Sequence, residues 1–162
     1  MPQSHPWATR PQRAFTLIEI AVVVVILGIL IALTLPGYRR VNLKTRATAV
    51  MNDFRTFSGT FSAFNLQNSR WPTDTGVPGA VPPELANGFS VAFTKTSPIG
   101  GKYLWISNST YKAAIAITTD GSDQLTTDVE LLELVDQLMD DGNTSAGNVQ
   151  VVGPALIFII EQ

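Results

Sequence analysis

A long apolar run near the amino terminus constrains this chain more than any other feature. Residues 20–35 carry no charged side chain, and their only hydroxyl belongs to Thr34. Together with residues 15–18, this apolar stretch covers 21 residues if Glu19 is counted within it. A helix of that length, with a rise of about 1.5 Å per residue, spans roughly 30 Å, which matches the hydrocarbon core of a bilayer. The run therefore predicts one membrane-spanning helix.

Glu19 is the one charge within this stretch. A carboxylate near the end of a spanning helix costs about 2–3 kcal/mol on insertion scales, so it is interpreted as a functional residue. An ordinary secretory signal has a shorter apolar core and a small-residue cleavage site after it. Here the run is longer and is followed directly by Pro36 and then by a pair of arginines. A retained anchor is therefore favoured.

The residues around Glu19 follow a recognisable order. The sequence Ala14-Phe15-Thr16-Leu17-Ile18-Glu19 resembles the class III signal of type IV pilins and type II secretion pseudopilins. In that family a membrane prepilin peptidase cuts before the phenylalanine and methylates the new amino terminus. The resemblance implies cleavage after Ala14, where most members have glycine, and methylation of Phe15. It also implies that Glu19 serves recognition by the peptidase and assembly of subunits.

The same resemblance extends to helix-weakening residues and to the fold. Gly28 and Pro36 match positions at which many members carry glycine and proline, and they predict a break in the helix. The implied fold is α+β and pilin-like, with a long amino-terminal helix packed on an antiparallel sheet. The predicted parts are a leader over residues 1–14, a transmembrane or filament-core helix over residues 15–36, and a globular domain over residues 37–162.

The pattern changes after Pro36 from uniformly apolar to one-sided. Apolar side chains recur at steps of three and four, which is typical of a helix with one buried stripe. These positions are Leu43, Ala47, Val50, Phe54, Phe57, Phe61 and Phe64. We expect the stripe to pack against the sheet.

The remainder predicts a loop, five strands and a second helix. Turn-forming residues dominate residues 65–88, where Trp71 is expected to cover the end of the long helix. A capping box at Thr127 and Glu130 predicts a helix to about Met139, ended by Gly142. Strands are predicted over residues 89–94, 102–107, 111–118, 149–152 and 155–160, the first three as an antiparallel meander and the last as a central or well-covered strand.

Composition argues against several classes of function. The chain has no cysteine, and its single histidine, His5, lies in the predicted leader. No nucleophile–base pair or phosphate-binding loop can be assembled, so we predict that the protein is not an enzyme. No basic patch interleaved with aromatic residues is present, so no nucleic acid partner is predicted. No cofactor is expected.

Calcium is the one metal alternative that the sequence leaves open. Asp136, Asp140, Asp141 and Asn143 offer the hard oxygen ligands that calcium prefers. Some pseudopilins bind calcium in a loop near the carboxy terminus, although their ligand pattern is not visibly repeated here. A solvated acidic helix face, capped by Gly142, is the favoured interpretation.

These observations predict a structural subunit of a pilus-like filament, most simply a type II secretion pseudopilin. The alternatives are a type IV pilin and, from another class, a membrane-tethered periplasmic binding module. Expected partners are the prepilin peptidase, other pilin or pseudopilin subunits, an inner-membrane assembly platform and membrane lipid. The resemblance places the protein in the bacterial inner membrane, with the leader cytoplasmic and the carboxy-terminal domain periplasmic, and then in a filament.

Overall fold

The long helix α1 runs over Leu17–Asn68. It includes both the apolar run that is predicted to span the membrane and the stripe that is predicted to pack on the sheet. The computed structural model describes residues 15–162, apart from the side chains of residues 34–36. The predicted leader, residues 1–14, lies outside the described residues. Contacts group the chain into two units, the first ending at Arg39 and the second running over Arg40–Gln162.

Helix α1 continues through Gly28 and Pro36 without a gap, and the weakening of the helix at these two residues stays a prediction. Proline lacks a backbone N–H, which removes one hydrogen bond from the ladder. No side chain approaches the position that a Cβ at Gly28 would occupy, so space is not what requires glycine there.

The apolar stripe of α1 forms the centre of the second unit. Six of its seven predicted positions are buried, from Leu43 to Phe61, and only Phe64 is half-buried. Phe61 stacks on Trp105 with a ring-centroid separation of 3.8 Å, and Phe54 packs against Phe158 at 5.5 Å. The predicted packing of the stripe on the sheet is therefore confirmed.

The sheet contains four antiparallel strands. They are β1 (Lys102–Ile106), β2 (Ala113–Thr118), β3 (Val149–Val152) and β4 (Ala155–Glu161), in the spatial order β1-β2-β4-β3. The predicted central position of the last strand is confirmed, because β4 pairs with both β2 and β3. The chain passes from β2 through helix α2 (Val129–Met139) to the far edge before it returns to the centre.

The first predicted strand, residues 89–94, is wrong. Val91–Thr94 forms a short 3-10 helix, and the Ser90 hydroxyl accepts a hydrogen bond from the Ala92 N–H at its start. Phe89 and Phe93, four residues apart, pack against Phe57 at 5.7 and 5.1 Å. The helical turn brings both rings onto Phe57, whereas in an extended strand residues four apart share a face but lie about 13 Å apart.

Helix α2 begins one residue later than predicted, and the predicted capping box does not form. Asp128, rather than Thr127, occupies the position before the first turn, where its carbonyl accepts from the N–H groups of Leu131 and Leu132. The Thr126 hydroxyl in turn accepts from the Asp128 N–H at 3.2 Å. The start is thus fixed by the backbone of Asp128 and the side chain of Thr126.

The loop that follows α1 is packed, as predicted. The Trp105 Nε1–H donates to the Pro72 carbonyl at 3.0 Å, and the Trp71 ring lies 5.7 Å from that of Trp105. Glu84 accepts from both the N–H and the hydroxyl of Thr73, at 3.1 and 2.7 Å. These bonds, led by the Thr73 hydroxyl, lower the pKa of Glu84 to about 2.

Candidate functional site

The amino-terminal end of α1 has a reciprocal capping box formed by Thr16 and Glu19. The Thr16 hydroxyl accepts from the Glu19 N–H at 3.3 Å, and the Glu19 carboxylate accepts from the Thr16 N–H at 3.4 Å. The Thr16 carbonyl also accepts from the N–H groups of Glu19 and Ile20. Each residue satisfies a backbone donor that a helix start otherwise leaves free. Glu19 therefore has a local structural role in addition to its charge.

Thr16 was missed when the site was predicted from sequence. The signal was present, because threonine followed three residues later by glutamate before an apolar run is the capping-box pattern. The same pattern was assigned to Thr127 and Glu130, where it does not form. A capping box needs the threonine directly before the first turn, and that start is set by the rest of the fold.

The first unit presents an apolar helix surface that nothing in the described chain covers. The large side chains of residues 22–31 are each about half to two-thirds exposed, and Leu17 is 92% exposed. Helix α1 is long and apolar enough to cross a membrane, and none of its apolar window is buried. A helix that is apolar on all sides is stable when lipid or other apolar helices surround it.

The predicted processing residues lie at the start of this helix. Phe15 precedes the helix and is 76% exposed, and Glu19 is exposed in the first turn. Ala14 lies outside the described residues. The cleavage and methylation of this segment stay predictions, as does the assembly role of Glu19.

The acidic residues predicted as a calcium alternative do come together. Asp136, Asp140 and Asp141 each place a carboxylate oxygen within 4.8 Å of the others, at the carboxy-terminal end of α2 and just beyond it. Asn143 lies in the following turn, where its N–H donates to the Asp141 carboxylate at 2.9 Å and its own side-chain oxygen accepts from the Ser145 N–H. Asn143 therefore supports the turn that presents Asp141.

Asp136 is the unusual member of this cluster. It is fully buried, and neither of its carboxylate oxygens has a hydrogen-bond partner among the described residues. Burial raises its pKa to about 6, and the negative charges of Asp141 and Asp140 add to the shift. A buried carboxylate without a partner is costly, so this position requires either a proton or a cation.

The loop after α2 closes on Asp140. The Asp140 carboxylate accepts from the Asn148 N–H, and a side chain at Gly147 would collide with that carboxylate. Gly147 has a φ of +83°, a conformation that glycine adopts without strain. The glycine and the hydrogen bond hold the loop over residues 140–148 against the cluster.

The amino-terminal helix and the overall fold agree with comparisons to known proteins. Residues 9–35 match the family model described as the prokaryotic N-terminal methylation motif. The fold is similar to that of the major type IV pilin PilA1 from Clostridium difficile, with a TM-score of 0.56 and 15% identity over 76% of this chain and 98% of that one. The architecture is therefore pilin-like, which confirms the predicted fold class.

Curated relatives show to which family of pilin-like proteins this chain belongs. The type II secretion system core protein G of Klebsiella michiganensis is 33% identical over 122 residues, which cover 69% of this chain and 84% of that protein. Core protein G of Klebsiella pneumoniae is 42% identical over 62 residues, or 38% of this chain, and this match spans less than half of that protein, 44%. The chain belongs to the family of type II secretion system core protein G, the pseudopilins.

Proposed function

We propose that this protein is a structural subunit of a periplasmic filament that serves type II secretion. The observation that carries the proposal is the exposed apolar surface of α1, with Glu19 as the one charge in its first turn. Such a surface is compatible with two environments, a bilayer before assembly and a bundle of like helices afterwards. Membership of the core protein G family supports this function over that of a type IV pilin, a class with which the chain shares its fold.

The proposal includes a defined orientation and set of partners. The leader is cytoplasmic, α1 crosses the inner membrane, and the second unit is periplasmic. A prepilin peptidase processes the chain, an inner-membrane platform lifts it, and other subunits pack around its apolar helix. The methylation motif supports the first of these partners, and the family supports the others. A membrane-tethered enzyme is disfavoured because the described residues include neither histidine nor cysteine.

Processing gives the first test. The mature protein is expected to begin at Phe15 with a methylated amine, because the Ala14–Phe15 bond precedes the apolar helix at the spacing of the methylation motif. Intact mass spectrometry of protein extracted from membranes measures this directly. A bulky residue in Ala14→Leu should block cleavage in the same cells. An intact Met1 terminus in wild-type protein, in the presence of active peptidase, would contradict the proposal.

We further propose that the second unit binds calcium at Asp136, Asp140 and Asp141. The observation that favours this second role is the buried Asp136 carboxylate, which lacks a partner yet lies among two further carboxylates. Three carboxylates form a donor set suited to a hard divalent cation. Bound calcium would offset their mutual repulsion and fix the loop over residues 140–148, which is already held to Asp140 through Asn148.

Calcium is therefore expected to raise the thermal stability of the protein. At a free concentration about 100 times the dissociation constant, the gain is about 2.7 kcal/mol. Asp136→Asn should abolish the increase in melting temperature, whereas Glu133→Gln removes an equal charge from the same helix outside the cluster and should preserve it. Thermal unfolding with calcium, with magnesium and with a chelator makes the comparison. An equal response to calcium in both variants would exclude this site.

A further inference from the structure

A groove lies between the two helices of the second unit, where α1 first becomes buried. It has a volume of about 780 Å³, and Arg40, Leu43 and Lys44 of α1 line one side of it. The other side is lined by α2 and the turn after it, through Glu130, Glu133, Leu134, Gln137, Leu138, Asp141 and Gly142. Leu43 is the first buried residue along the described part of α1, so the groove lies where that helix enters the core. One residue of the lining, Asp141, also belongs to the acidic cluster, and none belongs to the capping box of Thr16 and Glu19.

The groove has an apolar floor and charges of opposite sign on its two walls. Leu43 is buried, and Leu134 and Leu138 are half-buried against the same core. Arg40 and Lys44 are four residues apart on α1 and therefore share one face of the helix. Glu133 belongs to α2 on the other wall, and within the described chain no ion pair joins it to either basic residue. The walls therefore remain available to a ligand that carries both charges.

The chain keeps the basic wall close to the membrane anchor. Arg40 follows Leu35, the last residue of the apolar run, by five residues. Because both residues belong to helix α1, five residues correspond to a rise of about 7.5 Å along the helix. Polar headgroup layers add roughly 5–8 Å to each side of the hydrocarbon core. A groove lined by Arg40 is therefore within reach of lipid headgroups while the subunit is anchored.

We propose that this groove binds the headgroup of phosphatidylethanolamine. The phosphate accepts hydrogen bonds from the Arg40 guanidinium and the Lys44 ammonium, and the ethanolamine ammonium donates to the Glu133 carboxylate. The glycerol and the first methylene groups lie on the leucine floor. The inference rests on the membrane-anchored state described under the proposed function.

The two walls make the groove selective among common headgroups. The quaternary ammonium of phosphatidylcholine has no N–H, so it cannot donate to Glu133. Phosphatidylglycerol offers the phosphate but no cation, which leaves the carboxylate of Glu133 unpaired and close to added negative charge. Charge-assisted hydrogen bonds are stronger than those between neutral groups. Of these three headgroups, only that of phosphatidylethanolamine can form them with both walls of the groove.

The test uses the full-length protein in nanodiscs that contain phosphatidylethanolamine, phosphatidylcholine and phosphatidylglycerol in equal amounts. Native mass spectrometry after release counts the lipids that stay bound. We expect phosphatidylethanolamine to dominate, and Glu133→Gln to reduce its preference over phosphatidylcholine about tenfold, equivalent to about 1.4 kcal/mol. Glu133→Lys should redirect binding toward phosphatidylglycerol, and Arg40→Gln combined with Lys44→Gln should weaken retention of all three lipids.

Arg55→Gln provides the matched control, because Arg55 is exposed on α1 and is absent from the groove lining. It should leave lipid selection unchanged. Equal lipid ratios in wild type and Glu133→Gln would overturn the proposal. Full displacement of bound lipid by soluble glycerophosphoethanolamine would also overturn it, because it would identify a free phosphate ester as the ligand. Alkaline extraction of membranes is run beside each variant. A protein that is released by alkali contradicts the anchored state itself, whereas a retained protein without lipid preference contradicts only this site.

Discussion

Replacing Phe57 by alanine is expected to lower the free energy of unfolding of the second unit by about 3–5 kcal/mol. The Phe57 side chain is 1% exposed and lies where three elements meet. Its ring centroid is 4.9 Å from that of Tyr103 on β1, 5.1 Å from Phe93 and 5.7 Å from Phe89. Removing the ring leaves a cavity whose walls belong to α1, β1 and the 3-10 segment, so no single element can move in to fill it.

The measurement is urea unfolding of a soluble protein that spans residues 40–162. This segment contains every residue of the main hydrophobic cluster and forms one of the two units, so it is expected to fold without the anchor. Phe64→Ala serves as the control, because Phe64 belongs to the same stripe but is half-buried and contacts the Arg70 guanidinium at 5.4 Å. Phe64→Ala should lower the free energy of unfolding clearly less than Phe57→Ala does. A loss below about 1 kcal/mol for Phe57→Ala would contradict the assigned core.

Periodicity predicted the parts of this fold that burial alone decides. The stripe from Leu43 to Phe61 follows the helical repeat because one side of α1 faces the sheet, and all six residues are buried. Strand β4 was placed at the centre of the sheet because it is apolar on both faces, and its neighbours β2 and β3 confirm that position. Both the stripe of α1 and strand β4 have a large apolar surface, which is stable only when it is removed from water.

Local sequence patterns did not predict the structure of segments whose conformation is determined by tertiary contacts. Phe89 and Phe93 fit an alternating strand, yet a helical turn brings both rings onto Phe57. The antiparallel pairing of β1 with β2, predicted as part of a meander, is confirmed. The route from β2 through α2 to the edge strand β3 was not predicted. Short segments carry too little surface to determine their own structure, and contacts distant in sequence decide.

In the acidic cluster, the sequence spacing predicts which residues lie close together but not which of them is buried. Asp136 and Asp140 are four residues apart on or at the end of α2, so their proximity could be predicted. The burial of Asp136 could not. It lies four residues after the buried Leu132 and directly follows the buried Val135, so it shares the inward face despite its charge. A polarity pattern assigns any aspartate to the solvent side, and only the packed structure shows the exception.

The last prediction concerns Glu19, whose charge and capping role can be separated by mutation. In the proposed filament, the Glu19 carboxylate of one subunit pairs with the terminal amine of Phe15 on a neighbour, among apolar helices. Removing one partner of such a buried pair leaves the other uncompensated, at a cost of about 3–5 kcal/mol. Glu19→Gln should therefore reduce filament yield more than about tenfold, since 1.4 kcal/mol already corresponds to that factor.

Glutamine can still accept a hydrogen bond from the Thr16 N–H, so this variant keeps the capping box while it loses the charge. Thr16→Ala does the reverse, because it removes the hydroxyl that accepts from the Glu19 N–H and keeps the carboxylate. We expect Thr16→Ala to assemble nearly normally, and both variants to match wild type in mature-protein abundance and in the unfolding of the second unit. Filament yield is compared with mature-protein abundance in the same cells. If Glu19→Gln assembled normally while Thr16→Ala failed, the carboxylate would act as a helix cap, and the pairing between subunits would have to involve another group.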